Sequence, residues 1–247
     1  MKAVIFDLDG VITKTAQVHA AAWKGMFDEY LRSLEQRDKR PFEEFTTADY
    51  LTYVDGKPRY KGVASFLECR DIHLPFGDVK DSATEETVCG LGNRKNVKFV
   101  EVLDSDGVEE YSSTVSLIKD LLANGVKVGV ASSSKNCQLV LQKTGLEKYF
   151  GTRVDGVVSQ ELGLKGKPEG DIFVKAAANL GCEPANSVVV EDAVSGVQAG
   201  RNGKFRLVVG VAREKNAAEL KANGAHVVVE DFAGVTTETL KEWFALQ

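Results

Sequence analysis

No apolar run in this 247-residue sequence approaches the roughly 20 residues a helix needs to cross a bilayer. The N-terminal stretch MKAVIFDLDGV is a poor signal peptide, because its apolar run is short and two aspartates interrupt it. Cysteine is scarce. Cys69, Cys89, Cys137 and Cys182 are far apart, form no C-x-x-C pair and have no histidine at metal-ligand spacing. That pattern excludes a zinc site and predicts buried thiols in a reducing compartment. An excess of positive charge is also missing: the net charge is −5, which removes the electrostatic footprint of a nucleic-acid or anionic-membrane binder. Internal repeats and low-complexity segments are absent too. What is present is ordinary for a globular chain, 43% hydrophobic and 27% charged. The length suits one large domain or one domain plus a smaller one. We expect a cytoplasmic monomer without nucleic-acid or membrane partners.

Short β-branched runs alternate with amphipathic helical patterns. The predicted strands are Ala3–Phe6, Val126–Ala131, Val154–Val158, Ser187–Val190, Arg206–Val211 and His226–Val229. The predicted helices between them are Ser113–Asn124, Asn136–Thr144, Pro168–Leu180, Ala193–Asn202 and Asn216–Ala222. Several strands are continuously apolar, as they are when both faces of a sheet are covered. The alternation predicts an α/β fold with a doubly wound, Rossmann-like parallel sheet. The interval 15–103 departs from this pattern. It has almost no β-branched run and carries helical patterns at Ala16–Leu34, Tyr60–Cys69 and Glu85–Gly90, so we read it as an α-helical cap domain inserted into a core domain of 1–14 and 104–247. Asp104–Gly107 reads as a turn-rich hinge, with Asp104 and Asp106 as turn residues.

Four strand ends carry chemistry. Val4–Phe6 runs into Asp7, Leu8, Asp9 and Gly10. Residues i and i+2 of a strand point to one side, and the carboxyl end of a parallel strand opens on the ligand crevice. Two carboxylates there repel and favour a cation or a shared proton. The segment is also compatible with a plain strand end and turn. A calcium loop does not fit, since no helix precedes it and neither a third acid nor a closing glutamate is in place. The second end is Ala131 followed by Ser132, Ser133, Ser134, Lys135 and Asn136. Hydroxyls and free N–H groups at a helix start favour phosphate, although Ser133 or Ser134 can equally cap the helix. Lys167 precedes Pro168, which reads as a first helical residue; the lysine can hold phosphate or be a solvated surface charge. The fourth end is Ser187–Val190 with Glu191 and Asp192, which can complete a hard-cation site or cap the following helix.

Taken together, Asp-x-Asp, Ser, Lys and Glu-Asp stand in that chain order at four strand ends, and the sequence resembles the haloacid dehalogenase superfamily across both core and cap. Within it, FDLDGVITKTA, with Thr15, His19 and Trp23 on one helical face, ASSSKN (131–136) and Arg94-Lys95-Asn96 resemble the β-phosphoglucomutase-like subfamily. Arg59 is similar in position to that subfamily's cap arginine, in a cap longer around 50–76 than in short-capped mutases. His73 and His226 have no partner pattern and are assigned no role.

The resemblance implies magnesium as cofactor and a sugar phosphate as substrate. It implies Asp7 as nucleophile and Asp9 as proton carrier. Asp7, Asp192 and the Asp9 backbone carbonyl would hold the metal, with Glu191 touching it directly or through water. Ser132, Ser133 and Lys167 would bind phosphate. Thr15, His19, Trp23, Arg59, Lys95, Ser134, Lys135 and Asn136 would bind substrate, and the cap would exclude water and select the sugar. The implied activity is phosphoryl transfer through an aspartyl-phosphate, with β-glucose 1-phosphate converted to glucose 6-phosphate. The alternatives are a sugar-phosphate phosphatase and, more remotely, a non-catalytic sugar-phosphate sensor.

Overall fold

A computed structural model describes residues 1–39, 41–213 and 215–247. The chain divides into two compact units, Thr15–Gly107 and the combination of Met1–Lys14 with Val108–Gln247. Among the described residues, no helix is long and apolar enough to cross a membrane.

The first unit is helical. It contains α1 (Thr15–Asp38), α2 (Thr47–Asp49) continuing into a π-helical turn at Tyr50–Val54, α3 (Arg59–Cys69) and α4 (Val88–Asp106). Along α1 the buried residues fall at helical spacing, from Thr15, His19 and Trp23 to Phe27, Leu31 and Leu34, which gives the helix one continuous inner stripe. Its core is aromatic: Phe27 stacks on Phe45 with ring centroids 5.0 Å apart and meets Phe66 at 4.2 Å. Thr87 caps α4 by accepting the Gly90 N–H. This helix corrects two sequence expectations. Of the pattern at Glu85–Gly90 only Val88–Gly90 is helical, as the start of this helix, and Asp104 and Asp106 lie in its last turn rather than in a hinge. Buried Lys95 interrupts the apolar stripe, and acids at a helix C-terminus oppose the helix dipole, so the sequence concealed the helix. The turn that stops it is Gly107, at φ 77.

The second unit is a six-stranded, wholly parallel sheet of β1 (Ala3–Phe6), β2 (Lys127–Ala131), β3 (Thr152–Val154), β4 (Ser187–Glu191), β5 (Leu207–Val211) and β6 (Val227–Val229). The strand order is β3-β2-β1-β4-β5-β6. Helices α5 (Ser112–Ala123), α6 (Cys137–Thr144), α7 (Gly156–Glu161), α8 (Asp171–Asn179), α9 (Val194–Asn202), α10 (Ala217–Ala222) and α11 (Thr237–Ala245) complete the doubly wound α/β fold. Phe6 pairs with Val130 on one side and Val190 on the other. The chain winds outward from β1 to β3, then returns to β4 beside β1. The order therefore reverses at β1 and β4, and ligands bind at the carboxyl ends of strands at such a reversal.

Four further expectations change. The predicted strand Val154–Val158 stops at Val154, because Asp155 accepts the N–H groups of Val157 and Val158 at 3.0 Å each and starts α7. The predicted helix Pro168–Leu180 begins at Asp171; Pro168 lies in a turn before it, after a cis peptide bond to Lys167. Cys69 is exposed, unlike the other three cysteines. His226 does have a partner, since its Nδ1 accepts the Val208 N–H at 2.9 Å.

Two outcomes follow from this packing. Phe66→Ala empties the middle of the aromatic cluster and should cost about 3–5 kcal/mol, read from urea unfolding; a loss well under 1 kcal/mol would contradict the packing described. His226 is held below the ordinary histidine pKa by burial, with Arg201 and Lys221 adding repulsion. The folded state thus takes up the proton less readily than the unfolded chain. The stability from neutral His226 is complete above the unfolded value of about 6.5 and declines as pH falls below it. Between roughly pH 7.5 and pH 5.5 the urea midpoint of the wild type should drop more than that of His226→Asn. Equal drops would remove His226 as the titrating group.

Candidate active site

The carboxyl ends of β1, β2 and β4 converge on a group of polar side chains. Asp7 follows β1 directly, and its N–H still donates to the Val190 carbonyl at 2.9 Å, so the ladder to β4 carries this residue one step past the strand. Lys167 reaches the same point from the turn before α8. It is 4% exposed, against 5% for Asp7 and 0% for Glu191. Its Nζ donates to Asp7 Oδ1 at 2.6 Å and to Glu191 Oε1. The other Glu191 oxygen, Oε2, accepts the N–H groups of Asp192 and Ala193 at 3.0 Å each. One buried carboxylate therefore anchors both the lysine and the turn into α9.

Close backbone approach makes this possible. A Cβ on Gly196 would fall 1.9 Å from the Glu191 carboxyl. A Cβ on Gly10 would fall 1.8 Å from Asp192 Oδ2, and Gly10 sits at φ 83. Glycine is required at both positions.

Burial pushes the Asp7 carboxyl well above the usual carboxylate range; Lys167 pulls it back, while Glu191 and Asp9 add repulsion. For Lys167 burial opposes the charge, yet Asp7 and Glu191 outweigh it and hold the pKa above the ordinary lysine value. The ammonium stays charged in the absence of water. Asp7, Glu191 and Asp192 also offer carboxylate oxygens that all lie within 4.8 Å of one another. An all-oxygen donor set of this kind suits a hard cation rather than a soft one.

Asp9 meets the end of β2. Its Oδ2 accepts from Ser132 Oγ at 3.4 Å. The Gly10 N–H donates to the Thr13 carbonyl at 2.8 Å, which fixes the peptide plane carrying the Asp9 carbonyl. Ser132 is fully buried, and its Oγ also accepts the Ser134 N–H at 3.0 Å. Ser134 Oγ in turn accepts the Asn136 N–H at 3.1 Å. The segment from Ser132 through Ser133 to Asn136 thus folds on its own hydroxyls as it enters α6. Lys135 extends to Gln160 of α7.

The helical unit brings together a second group. Thr15, His19 and Trp23 lie on the buried stripe of α1. Lys95 of α4 is buried, its ammonium bonds His19 Nδ1, and it sits 5.1 Å from the Trp23 ring centre and 4.6 Å from that of Phe99. His19 stacks on Phe99 at 3.9 Å. Arg59 donates to Oδ1 of Asn96, the residue after Lys95, at 2.7 Å; burial lowers its pKa from the ordinary arginine value.

Two polar residues near the acidic turns were missed by the sequence reading. Arg213 donates from Nε to the Gly10 carbonyl at 3.1 Å, and Asn216 donates from Nδ2 to the Asp192 carbonyl at 3.3 Å. Arg213 stands two residues after Val211, the last residue of apolar β5. The rule that strand ends carry function would have reached it.

The family model described as haloacid dehalogenase-like hydrolase matches residues 1–204. A β-phosphoglucomutase of Mycobacterium bovis is 46% identical over 237 residues, covering 94% of this chain and 90% of the relative. A β-phosphoglucomutase of Bacillus subtilis is 33% identical over 246 residues, covering 98% and 96%. The crystal structure of a β-phosphoglucomutase from Clostridium difficile superposes with a TM-score of 0.78 at 26% identity, covering 100% of this chain and 98% of that one. The match of the family model across most of the chain, and of these relatives along nearly all of it, makes this protein a member of the haloacid dehalogenase-like hydrolase family.

Proposed function

We propose that the protein transfers a phosphoryl group on a sugar phosphate through an aspartyl-phosphate at Asp7, and that its reaction converts β-glucose 1-phosphate to glucose 6-phosphate. The supporting observation is the buried contact of Asp7 with Lys167 at the reversal point of the sheet, in a chain so similar to β-phosphoglucomutases along its length.

Lys167 orients the Asp7 carboxylate and places a fixed positive charge where the anionic phosphoryl group must arrive. Asp7 attacks phosphorus, and the sugar oxygen leaves with its electron pair. Asp9, outside the acid–lysine contact, gives that oxygen its proton. Ser132 and Ser133, with the N–H groups entering α6, hold phosphoryl oxygens. Ser134, Lys135 and Asn136 extend that loop towards substrate. In the second half, Asp9 takes the proton from the C6 hydroxyl of β-glucose 1-phosphate as that oxygen attacks phospho-Asp7. The resulting bisphosphate turns over and returns its C1 phosphoryl group to Asp7, releasing glucose 6-phosphate.

The Asp7 and Asp192 carboxylates and the Asp9 backbone carbonyl would hold magnesium, which when bound screens carboxylate from phosphate and offsets charge on the transferring group. Glu191 orders this arrangement, since both its oxygens already hold Lys167 and the N–H groups of Asp192 and Ala193. For the helical unit we propose substrate selection, carried by Thr15, His19, Trp23, Lys95 and Arg59.

Phosphorus NMR of the purified protein with β-glucose 1-phosphate, magnesium and a trace of glucose 1,6-bisphosphate should show glucose 6-phosphate appearing. Inorganic phosphate as the sole product would make the protein a phosphatase, and no turnover with intact binding would make it a sensor. Chelation with EDTA should stop the reaction and added magnesium restore it; turnover unaffected by EDTA would remove the metal from the mechanism. Asp9→Asn should lower kcat by about 10²–10⁴-fold while substrate still binds. A kcat within a few-fold of wild type would assign proton transfer elsewhere.

A further inference from the structure

We propose that Arg213 and Asn216, in the segment that follows β5, are positioning residues that hold the two acidic turns at the spacing a divalent cation requires. The proposal rests on reading Asp7, Asp192 and the Asp9 carbonyl as the cation's ligands.

The two acidic turns come from distant parts of the chain and meet where the Gly10 backbone faces the Asp192 carboxylate. Gly10 lies so close to Asp192 that a Cβ would sit inside the carboxylate. The β1–β4 ladder, which runs on to the Asp7 N–H at the Val190 carbonyl, brings the two turns side by side, and two side chains from the segment after β5 add a hold on each. Arg213 Nε holds the Gly10 carbonyl, and Asn216 Nδ2 holds the Asp192 carbonyl. The two donors are three residues apart, so one short segment holds one backbone carbonyl in each turn.

Arg213 is itself fixed. Its Nη1 donates to the Glu230 carbonyl at 2.9 Å, beyond β6, and its guanidinium lies 3.7 Å from the centre of the Tyr111 ring. The Tyr111 N–H donates to the Ile12 carbonyl at 2.9 Å, in the same stretch as Gly10. The guanidinium therefore links the first acidic turn to two other segments of the sheet unit.

The Gly10 peptides carry this restraint to the proposed ligand. The Gly10 N–H is held by the Thr13 carbonyl, which sets the plane containing the Asp9 carbonyl. The Gly10 carbonyl is held by Arg213, which sets the next plane. With φ 83 at Gly10 between two fixed planes, the direction of the Asp9 carbonyl has little freedom. Asn216 acts likewise on the backbone of Asp192.

A purely structural role accounts less well for both residues. Arg213 Nη2 and Asn216 Oδ1 are buried and have no hydrogen-bond partner among the described residues. Buried polar atoms without partners work against folding. Two such atoms beside one cluster of acids suit residues kept for where their other atoms point.

The test measures metal binding apart from catalysis. Mn2+ serves as the probe for the full-length chain, its free-ion EPR signal reporting the dissociation constant. Melting temperature is measured without metal. Arg213→Met and Asn216→Ala should each raise the Mn2+ Kd by about 10-fold or more, with Arg213→Lys in between because it keeps one donor. Excess magnesium should recover part of kcat in both. Asn216→Ala removes a single hydrogen bond, so it carries the test if Arg213→Met does not fold. A Kd within twofold of wild type in the folded variants, with only melting temperature lowered, would overturn the proposal. Wild type failing to bind Mn2+, or Asp192→Ala binding it as tightly as wild type, would sink the cation-site reading itself, and the clamp with it.

Discussion

The ammonium of Lys167 sits where water has been removed, between Asp7 and Glu191. Isolated, such a charge would be driven to lose its proton. The two carboxylates reverse that preference, and the lysine in turn offsets part of the upward push that burial exerts on the Asp7 carboxyl. Removing one member of such a group costs about 3–5 kcal/mol, because the others are left charged and unmatched. Three separate stretches of chain, after β1, before α8 and at the end of β4, therefore have to arrive together. The parallel sheet brings them together by setting β1 beside β4, where the strand order reverses. The side-chain chemistry and the topology are one requirement.

A second constraint is space. Carboxylates can be gathered this tightly only if the backbone beside them has no side chains. Gly196 lets α9 pack against the Glu191 carboxyl, and Gly10 lets the first acidic turn press against Asp192. The nearby hydroxyls solve a related problem at the end of β2. Ser132 and Ser134 each accept a backbone N–H two residues on, so the chain turns sharply from strand to helix while Ser132 still faces Asp9. Asp155 braces that loop from the far side: it starts α7, and the next residue, Gly156, donates to the Ser134 carbonyl at 3.1 Å.

Much of this was legible in the sequence, for a physical reason. Strands covered on both faces must be apolar along their whole length, so β1, β4 and β5 stand out, and the polar residues that end them are conspicuous. Asp7, Ser132, Glu191 and Asp192 were found in that way. Lys167 was found beside a proline, but for a partly mistaken reason, since Pro168 does not start the helix. What escaped was governed by contacts that leave no periodic trace. Helix α4 was concealed by Lys95, whose buried ammonium has aromatic rings and His19 for company instead of solvent. Val157 and Val158 suggested a strand, but the Asp155 carboxylate takes their N–H groups and makes a helix start. Arg213 and Asn216 act on backbone carbonyls, which are the same at every residue, so no motif could announce their partners.

The covalent step at Asp7 can be examined directly. An acyl phosphate is reduced by borohydride, and an aspartyl-phosphate becomes homoserine. The protein would be mixed with glucose 1,6-bisphosphate and magnesium, quenched, reduced and digested, and its peptides read by mass spectrometry. Homoserine at position 7 is the expected result. Homoserine at another aspartate, or none at all in a preparation that turns substrate over, would contradict the assignment of Asp7 as the nucleophile.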